Sequence, residues 1–266
     1  MSGPLPLSIA IVCKNSGATI ARTLDSVAPL ASEIIALDSG STDNTLAILA
    51  GANATVHHIQ WQGHVATKQR ALDSCSQPWI LALDADESLT PPLASSIRAA
   101  ITSDNPSVRA YELNRKVFFR GAWLHHAWQP EWRLRLVRKD AARWTGLDPH
   151  DRLDLLNPSP SAVARLQGDL RHDSFLDAHD CFRKQADHAR TSARSLLNTG
   201  RRASILSLLT SPTGAFLKQL ILKQSFRDGW RGWIAASATA SATLMKHATL
   251  LDLQNAPSDT DPPRAH

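Results

Sequence analysis

The chain has 266 residues, 43% of them hydrophobic and 20% charged, proportions ordinary for a folded domain with a substantial core. Its three cysteines, Cys13, Cys75 and Cys181, form no CxxC pair, which argues against a disulfide framework or thiolate zinc site and fits a reducing cytosol. The net charge of +5 is uneven: residues 181–247 hold eleven Lys/Arg against Asp187 and Asp228, a balance of +9. Such a basic block points to an anionic partner (a membrane surface, a phosphorylated glycolipid or nucleic acid) or to a solvated helix face.

Met1-Ser2-Gly3-Pro4 has no basic n-region, and Leu7 to Cys13 is too short for a signal-peptide core, so the expected location is the cytoplasm. Leu7 to Cys13 reads as a buried strand, 17–30 as a helix and Glu33 to Asp38 as a second strand. Ser41-Thr42-Asp43 offers N-cap chemistry for a helix over 44–51. A strand near 54–59, a helix near 64–76 and a strand from Trp79 to Leu83 follow. Thr90-Pro91 then opens another helix. Strand–helix alternation of this kind predicts a parallel sheet covered by helices, with ligands at the carboxyl ends of the strands. From 109 to 172 the pattern shortens into strand-like pieces such as Arg133 to Val137, and Trp123, Trp128, Trp132 and Trp144 crowd together. From 178 the chain reads as helical and basic. Residues 255–266, with three prolines, read as a disordered tail.

Two strand ends carry the chemistry. Leu81-Ala82-Leu83-Asp84-Ala85-Asp86-Glu87 ends an apolar strand in closely spaced carboxylates. Left uncompensated these would repel one another, and Mg²⁺ or Mn²⁺ sharing its shell with phosphate oxygens would relieve that. A capped strand end with solvated acids is the plainer alternative. Leu37-Asp38-Ser39-Gly40-Ser41-Thr42-Asp43-Asn44-Thr45 likewise follows an apolar strand and opens a helix, with small residues that admit close backbone approach.

Together with Ser8-Ile9-Ala10-Ile11-Val12-Cys13-Lys14-Asn15, these strand ends resemble the nucleotide-sugar half of family 2 glycosyltransferases of the GT-A fold. Within the family the chain resembles the bacterial lipopolysaccharide-core branch typified by heptose-directed β-1,4-glucosyltransferases. That likeness is carried by Asp84-Ala85-Asp86-Glu87, Trp132 to Arg138, Pro149-His150-Asp151, His172-Asp173-Ser174-Phe175 and Lys184 to Ala189. It implies a Rossmann-like mixed α/β sheet with helices on both faces over 1–177, a basic, membrane-proximal helical appendage over 178–254, and the tail. It also implies an inverting hexosyltransferase that uses a divalent metal (Mg or Mn). By the same resemblance Asp86 and His172 hold that metal, with Asp84 near the ribose and the metal's waters. Asp151 is the implied base, with Asp148 and Glu131 as alternatives. Asn15, Asp38, Ser39, Lys68, Arg70, Arg120 and Gly121 would surround the donor. One departure stands out: many members carry two successive Asp residues where this chain has Asp38-Ser39, so Ser39 lacks the carboxylate that reads the uracil ring.

At the helical end, residues 214–233 mix apolar i,i+4 pairs with cations, and Trp230 and Trp233 suit a membrane interface. Ile234 to Met245 is too short and too polar to span a bilayer, and no run of spanning length is expected. The resemblance implies a nucleotide-sugar donor and a glycolipid or lipopolysaccharide-core acceptor as partners, and the basic helical end adds an anionic membrane surface. The expected location is peripheral, on the inner face of the cell membrane. A helical pair packed on the catalytic core is the competing reading. A sugar-phosphate nucleotidyltransferase would need a Gly-rich basic loop after the first strand, where this chain has Lys14-Asn15-Ser16-Gly17. A non-catalytic nucleotide-binding scaffold would not need Asp84, Asp86, Asp151 and His172 together. No nucleic-acid motif accompanies the basic block.

Overall fold

A computed structural model describes residues 3–147, 150–159 and 161–256. In chain order the elements are β1 (Leu7–Cys13), α1 (Ile20–Val27), β2 (Glu33–Asp38), α2 (Thr45–Gly51), β3 (Thr55–His58), α3 (His64–Asp73), β4 (Trp79–Asp84), β5 (Glu87–Leu89) and α4 (Pro91–Ser103). They continue with β6 (Ala110–Phe119), β7 (Ala122–Trp123), β8 (Trp132–Arg138), β9 (Ala142–Leu147), β10 (His150–Leu155), β11 (Val163–His172), α5 (Ala178–Asn198), α6 (Ile205–Leu217) and α7 (Trp230–Asn255). The expected tail residues 257–266 and the alternative base Asp148 lie outside the described residues.

The chain divides into two compact units. One comprises Met1–Trp123 and Gln129–Ser174, the other Leu124–Trp128 and Phe175–His266. Among the described residues, the first unit is built on a nine-stranded sheet of order β3-β2-β1-β4-β8-β6-β11-β5, with β7 paired to β6; β9 and β10 form a separate antiparallel ribbon. Strands β1 to β4 run parallel. Antiparallel β8 then reverses the direction, so the sheet is mixed.

Period-2 burial sorts the strand residues between two cores. Leu7, Ile9 and Ile11 of β1 join Ile20 and Leu24 of α1, Leu49 of α2 and Leu93 and Ile97 of α4 on one face. Ala10, Leu37, Ile80 and Ala82 meet Ala71 and Leu72 of α3 and Trp144 and Leu153 of the ribbon on the other. Helices α1 and α3 thus lie on opposite faces. The sheet changes winding between β1 and β4, where a parallel sheet opens a crevice at its carboxyl edge.

Two capping expectations are met differently. α2 starts at Thr45 with no side-chain bond from its N-cap Asn44; instead the Asp43 carboxylate accepts the Thr45 N–H at 3.0 Å. Thr90 stands at the N-cap of α4, but its hydroxyl donates to the Asp169 carbonyl at 2.7 Å and so ties the helix to β11.

The second unit is helical. Asp228 accepts the backbone N–H groups of His125, His126 and Ala127 at 2.8–3.0 Å, which holds 124–128 against it. The stretch 214–233 is not one helix: a π turn over Lys218–Leu222 and a 3₁₀ turn over Ser225–Asp228 interrupt it before α7 begins. The expectation that no apolar run reaches spanning length is also corrected. Ile205–Leu222, 18 residues of mean hydropathy 1.3, is long and apolar enough to cross a membrane by length and composition. Pro212 lies inside α6, which a reciprocal Ser204/Ser207 capping box stabilises at its start.

Candidate active site

The parallel register brings the motif-bearing strand ends to one edge. Cys13 pairs with Asp38, and Val12 with Asp84. The loop after β1 is laced to the loop after β2. Asn15 N–H donates to Ser41 Oγ at 2.9 Å, Thr42 N–H to Asn15 Oδ1 at 2.8 Å, and Gly17 N–H to Asp43 Oδ2 at 2.9 Å. Asp38, only 1% exposed, accepts the Gly40 and Ser41 N–H groups at 3.0 and 3.1 Å, and also the Ser41 hydroxyl. Burial would raise its carboxyl, but the Ser41 and Gly40 donors and His58 outweigh that and lower it. Its oxygens therefore shape the loop. Ser39 donates its hydroxyl to the Cys13 carbonyl at 3.3 Å.

Behind this edge lies a network of ion pairs. Lys68 Nζ sits 2.7 Å from Asp84 Oδ1 and 2.9 Å from Asp151 Oδ2, with the ring of buried Trp144 4.8 Å away. Arg135, brought in by β8, reaches Asp84 Oδ2 at 2.9 Å and Glu87 Oε1 at 2.8 Å. Arg115 lies 3.3 Å from Glu87 and holds Glu131 through two bonds of 2.7 and 2.9 Å. Burial pushes the Asp84 carboxyl upward, yet the charges of Lys68 and Arg135 carry it well below the usual carboxylate range. For Glu131 the Arg115 and Arg133 guanidinium groups overcome burial and hold the carboxyl at about 2.

The network revises the electrostatic argument made from sequence. Asp84 and Glu87 are compensated by the protein's own cations, so repulsion within the carboxylate cluster does not by itself require a metal. The residues that could hold a divalent cation are Asp86 and His172. Asp173 N–H donates to the Asp86 carbonyl at 2.9 Å, bringing the end of β11 to the turn after β4, and His172 Nε2 lies 3.5 Å from Asp86 Oδ2. His172 Nδ1 is 2.6 Å from Ser174 Oγ, which fixes the ring and leaves Nε2 directed at the carboxylate. Among the described residues no group of three His, Cys, Asp or Glu side chains could hold a metal ion. The pair nonetheless suits a hard cation that takes its remaining ligands from phosphate and water oxygens.

Of the residues expected at the site, Lys68, Asp84, Asp151 and, through Arg115, Glu131 are brought together, as are Asp86 with His172 and Asn15 with the Asp38–Thr42 loop. Arg70 is exposed and two positions from Lys68, so the two do not share a helix face. Arg120 and Gly121, with φ of 48° and 80°, form the two-residue tip of the β6–β7 hairpin. That tip stands about 17 Å along the strand from Arg115. Of the four tryptophans close in sequence, Trp144 is a core residue, and Trp128 belongs to the helical unit, its Nε1–H bonded to Thr239 Oγ1 at 3.0 Å. Sequence reasoning missed Arg115 and the bridging roles of Arg135 and Glu87. The available signal was a charged residue inside the apolar run Leu134-Arg135-Leu136-Val137.

A model of the family described as glycosyl transferase family 2 matches residues 8–153. An uncharacterized glycosyltransferase of Rickettsia prowazekii (strain Madrid E) is 29% identical over 255 residues, 93% of this chain and 87% of that one. The lipopolysaccharide core biosynthesis glycosyltransferase LpsC of Rhizobium meliloti (strain 1021) is 28% identical over 262 residues, 92% and 94% of the two chains. Among solved structures, glucosyl-3-phosphoglycerate synthase from Mycobacterium tuberculosis, in complex with Mn²⁺, uridine diphosphate and glucosyl-3-phosphoglycerate, is 25% identical with a TM-score of 0.34. That match covers 44% of this chain and 45% of the synthase chain, so the likeness spans less than half of either.

Proposed function

Because the chain belongs to glycosyl transferase family 2, and is thus a GT-A glycosyltransferase served by a nucleotide-sugar donor, we propose that it moves a hexose, glucose from a UDP-linked donor, onto a lipopolysaccharide-core glycolipid with inversion. The observation that carries this reading is the sheet edge itself. By strand register the paired loops after β1 and β2 end at the same edge as Asp84, which Lys68 joins to Asp151, and Asp86–His172 follows in the turn after β4. The similarity to LpsC supports the acceptor class.

In this reading Asp86 and His172 hold a divalent cation, which when bound neutralises charge developing on the diphosphate. The loop formed by Asn15 and Asp38–Thr42 receives the nucleoside. The acceptor oxygen attacks the anomeric carbon as the bond to the diphosphate breaks. The bonding pair leaves with the nucleoside diphosphate, and the hydroxyl proton passes to Asp151. Asp151 is favoured over Glu131 because both Glu131 oxygens are engaged by guanidinium groups and its carboxyl, at about 2, is too weak a base. The enzyme would work as a peripheral protein on the inner face of the cell membrane, where its acceptor is anchored. Incubating the protein with UDP-glucose, other nucleotide sugars and lipopolysaccharide-core acceptor, with Mn²⁺ or Mg²⁺, tests the reading. Transfer of glucose to the core supports it; transfer only of another sugar, or only to water-soluble acceptors, replaces the donor or acceptor assignment.

A further inference from the structure

The helical unit carries a surface that the transfer chemistry does not use. Ile205, Leu206, Leu209, Leu217, Ile221 and Leu222 are 46–75% exposed, and only 6% of the 205–222 window is buried. Residues 203–217 contain no charged side chain. A surface helix in water ordinarily turns a polar face outward, and a contiguous exposed apolar strip marks an interaction site. Cations bracket this strip: Arg201 and Arg202 precede it, and Lys218, Lys223, Arg227 and Arg231 follow. Trp230 and Trp233 stand 53% and 51% exposed at the same end, and tryptophan favours the boundary between headgroups and acyl chains.

Both ends of this helix are tied to α7. Ala203 exchanges two hydrogen bonds with the Gln254 side chain, at 2.9 and 2.8 Å. Ser225 donates to the Gly232 carbonyl at 3.2 Å, and a Cβ on Gly232 would lie 1.6 Å from the Ser225 carbonyl oxygen. The Phe216 and Trp233 rings meet at 6.2 Å. The start of α6 is therefore fastened to the end of α7, and the end of the α6 segment to the start of α7. Crossing a bilayer would drag along α7, with Arg231, Lys246 and Asp252. The 18 residues from Ile205 to Leu222 would also reach only about 27 Å, barely the hydrocarbon thickness.

We propose that α6 and its π turn form an in-plane membrane anchor. The exposed apolar strip lies at the headgroup–acyl boundary of an anionic phospholipid bilayer, its flanking cations meet the headgroups, and both ends stay on one side. The charge pattern selects the bilayer over a second copy of the chain, since a two-fold contact through this face would set Lys218, Arg227 and Arg231 against their own kind. The inference rests on the proposed lipid-borne acceptor for its purpose, not for its evidence.

The test uses the full chain and vesicles of phosphatidylglycerol and phosphatidylethanolamine containing no glycolipid. Wild type should float with them, less in high salt but not lost, as expected when cations and buried apolar groups share the binding. A Leu206→Glu/Leu209→Glu variant should bind at least tenfold more weakly with its melting temperature unchanged, because both side chains are about two-thirds exposed. The three native thiols are buried, so introduced cysteines report position. On vesicles, Leu209→Cys should become protected from an impermeant maleimide, while Arg202→Cys and Lys223→Cys both stay reactive from outside. Reactivity of only one flank would mean that the helix crosses, and would overturn the in-plane anchor. Wild type that ignores the vesicles but sediments as a dimer, dissociated by the glutamate pair, would overturn the lipid partner. Glycosyl transfer to the lipopolysaccharide-core glycolipid is scored separately: vesicle binding without any such transfer would sink the acceptor proposal and leave the anchor standing.

Discussion

Replacing Glu131 with glutamine removes the charge from a carboxylate whose Oε1 accepts Arg115 and Arg133 at 2.7 Å each, and whose Oε2 accepts Arg115 Nε at 2.9 Å. Its side chain is 22% exposed, so solvent screens the pairs only partly. A carboxyl held at about 2 instead of 4.5 gives a native-state preference for the ionised form of roughly 3 kcal/mol. The sign is that of a depressed acid: the stabilisation is complete above pH 4.5, falls to about half near pH 3.3 and is gone below pH 2. Glu131→Gln should thus cost about 3 kcal/mol at pH 7, and for a domain of this size lower the melting temperature by about 6–12 °C. Urea unfolding of both proteins from pH 7 to pH 3 reads the difference directly, and it should narrow as acid protonates the wild type. Glucosyl transfer by Glu131→Gln, assayed well below its melting temperature, should persist with an unaltered acidic limb of its pH profile. Unchanged stability together with abolished turnover would make Glu131 the base rather than a structural anion.

Asp151→Asn should lower kcat by about 10²–10⁴-fold and leave the donor KM nearly unchanged, because a base acts in the chemical step; steady-state kinetics check it, and near wild-type turnover would move the base to Asp148. Gly232→Ala would set a Cβ 1.6 Å from the Ser225 carbonyl oxygen, so a loss of at least about 2 kcal/mol is expected in thermal unfolding. Cys13, Cys75 and Cys181 are at most 3% exposed, and burial pushes their thiols up to about 12, 12 and 11. None should react with an aromatic disulfide reagent in the native protein at pH 7.5, and all three should in urea.

The parts of this fold legible in the sequence are those fixed by local pattern. Leu7 to Cys13, Glu33 to Asp38 and Trp79 to Asp84 are apolar runs bounded by turn-forming residues, and each is a strand of the parallel portion. Because parallel strands deliver their carboxyl ends to one edge, reading the strands also placed Asp38 and Asp84 at that edge, one on each side of β1. What the pattern leaves out is pairing between distant segments. Arg115 reaches Glu131 because β6 and β8 are neighbours, and Glu87 across β11, and no spacing in the chain encodes either contact. Glu87 looks like one more solvated acid at the end of Asp84-Ala85-Asp86, yet its side chain is fully buried between Arg115 and Arg135.

In the proposed mechanism Asp86 and His172 would serve hexosyl transfer from a nucleotide sugar through a bound divalent cation. The most direct test is release of nucleoside diphosphate from UDP-glucose, with acceptor present, by wild type and Asp86→Ala in Mn²⁺ and in chelator. Turnover by wild type is expected in Mn²⁺ alone, with loss of nearly all of it in chelator or in an Asp86→Ala protein of unchanged melting temperature. Full turnover in chelator, or by Asp86→Ala, would contradict it.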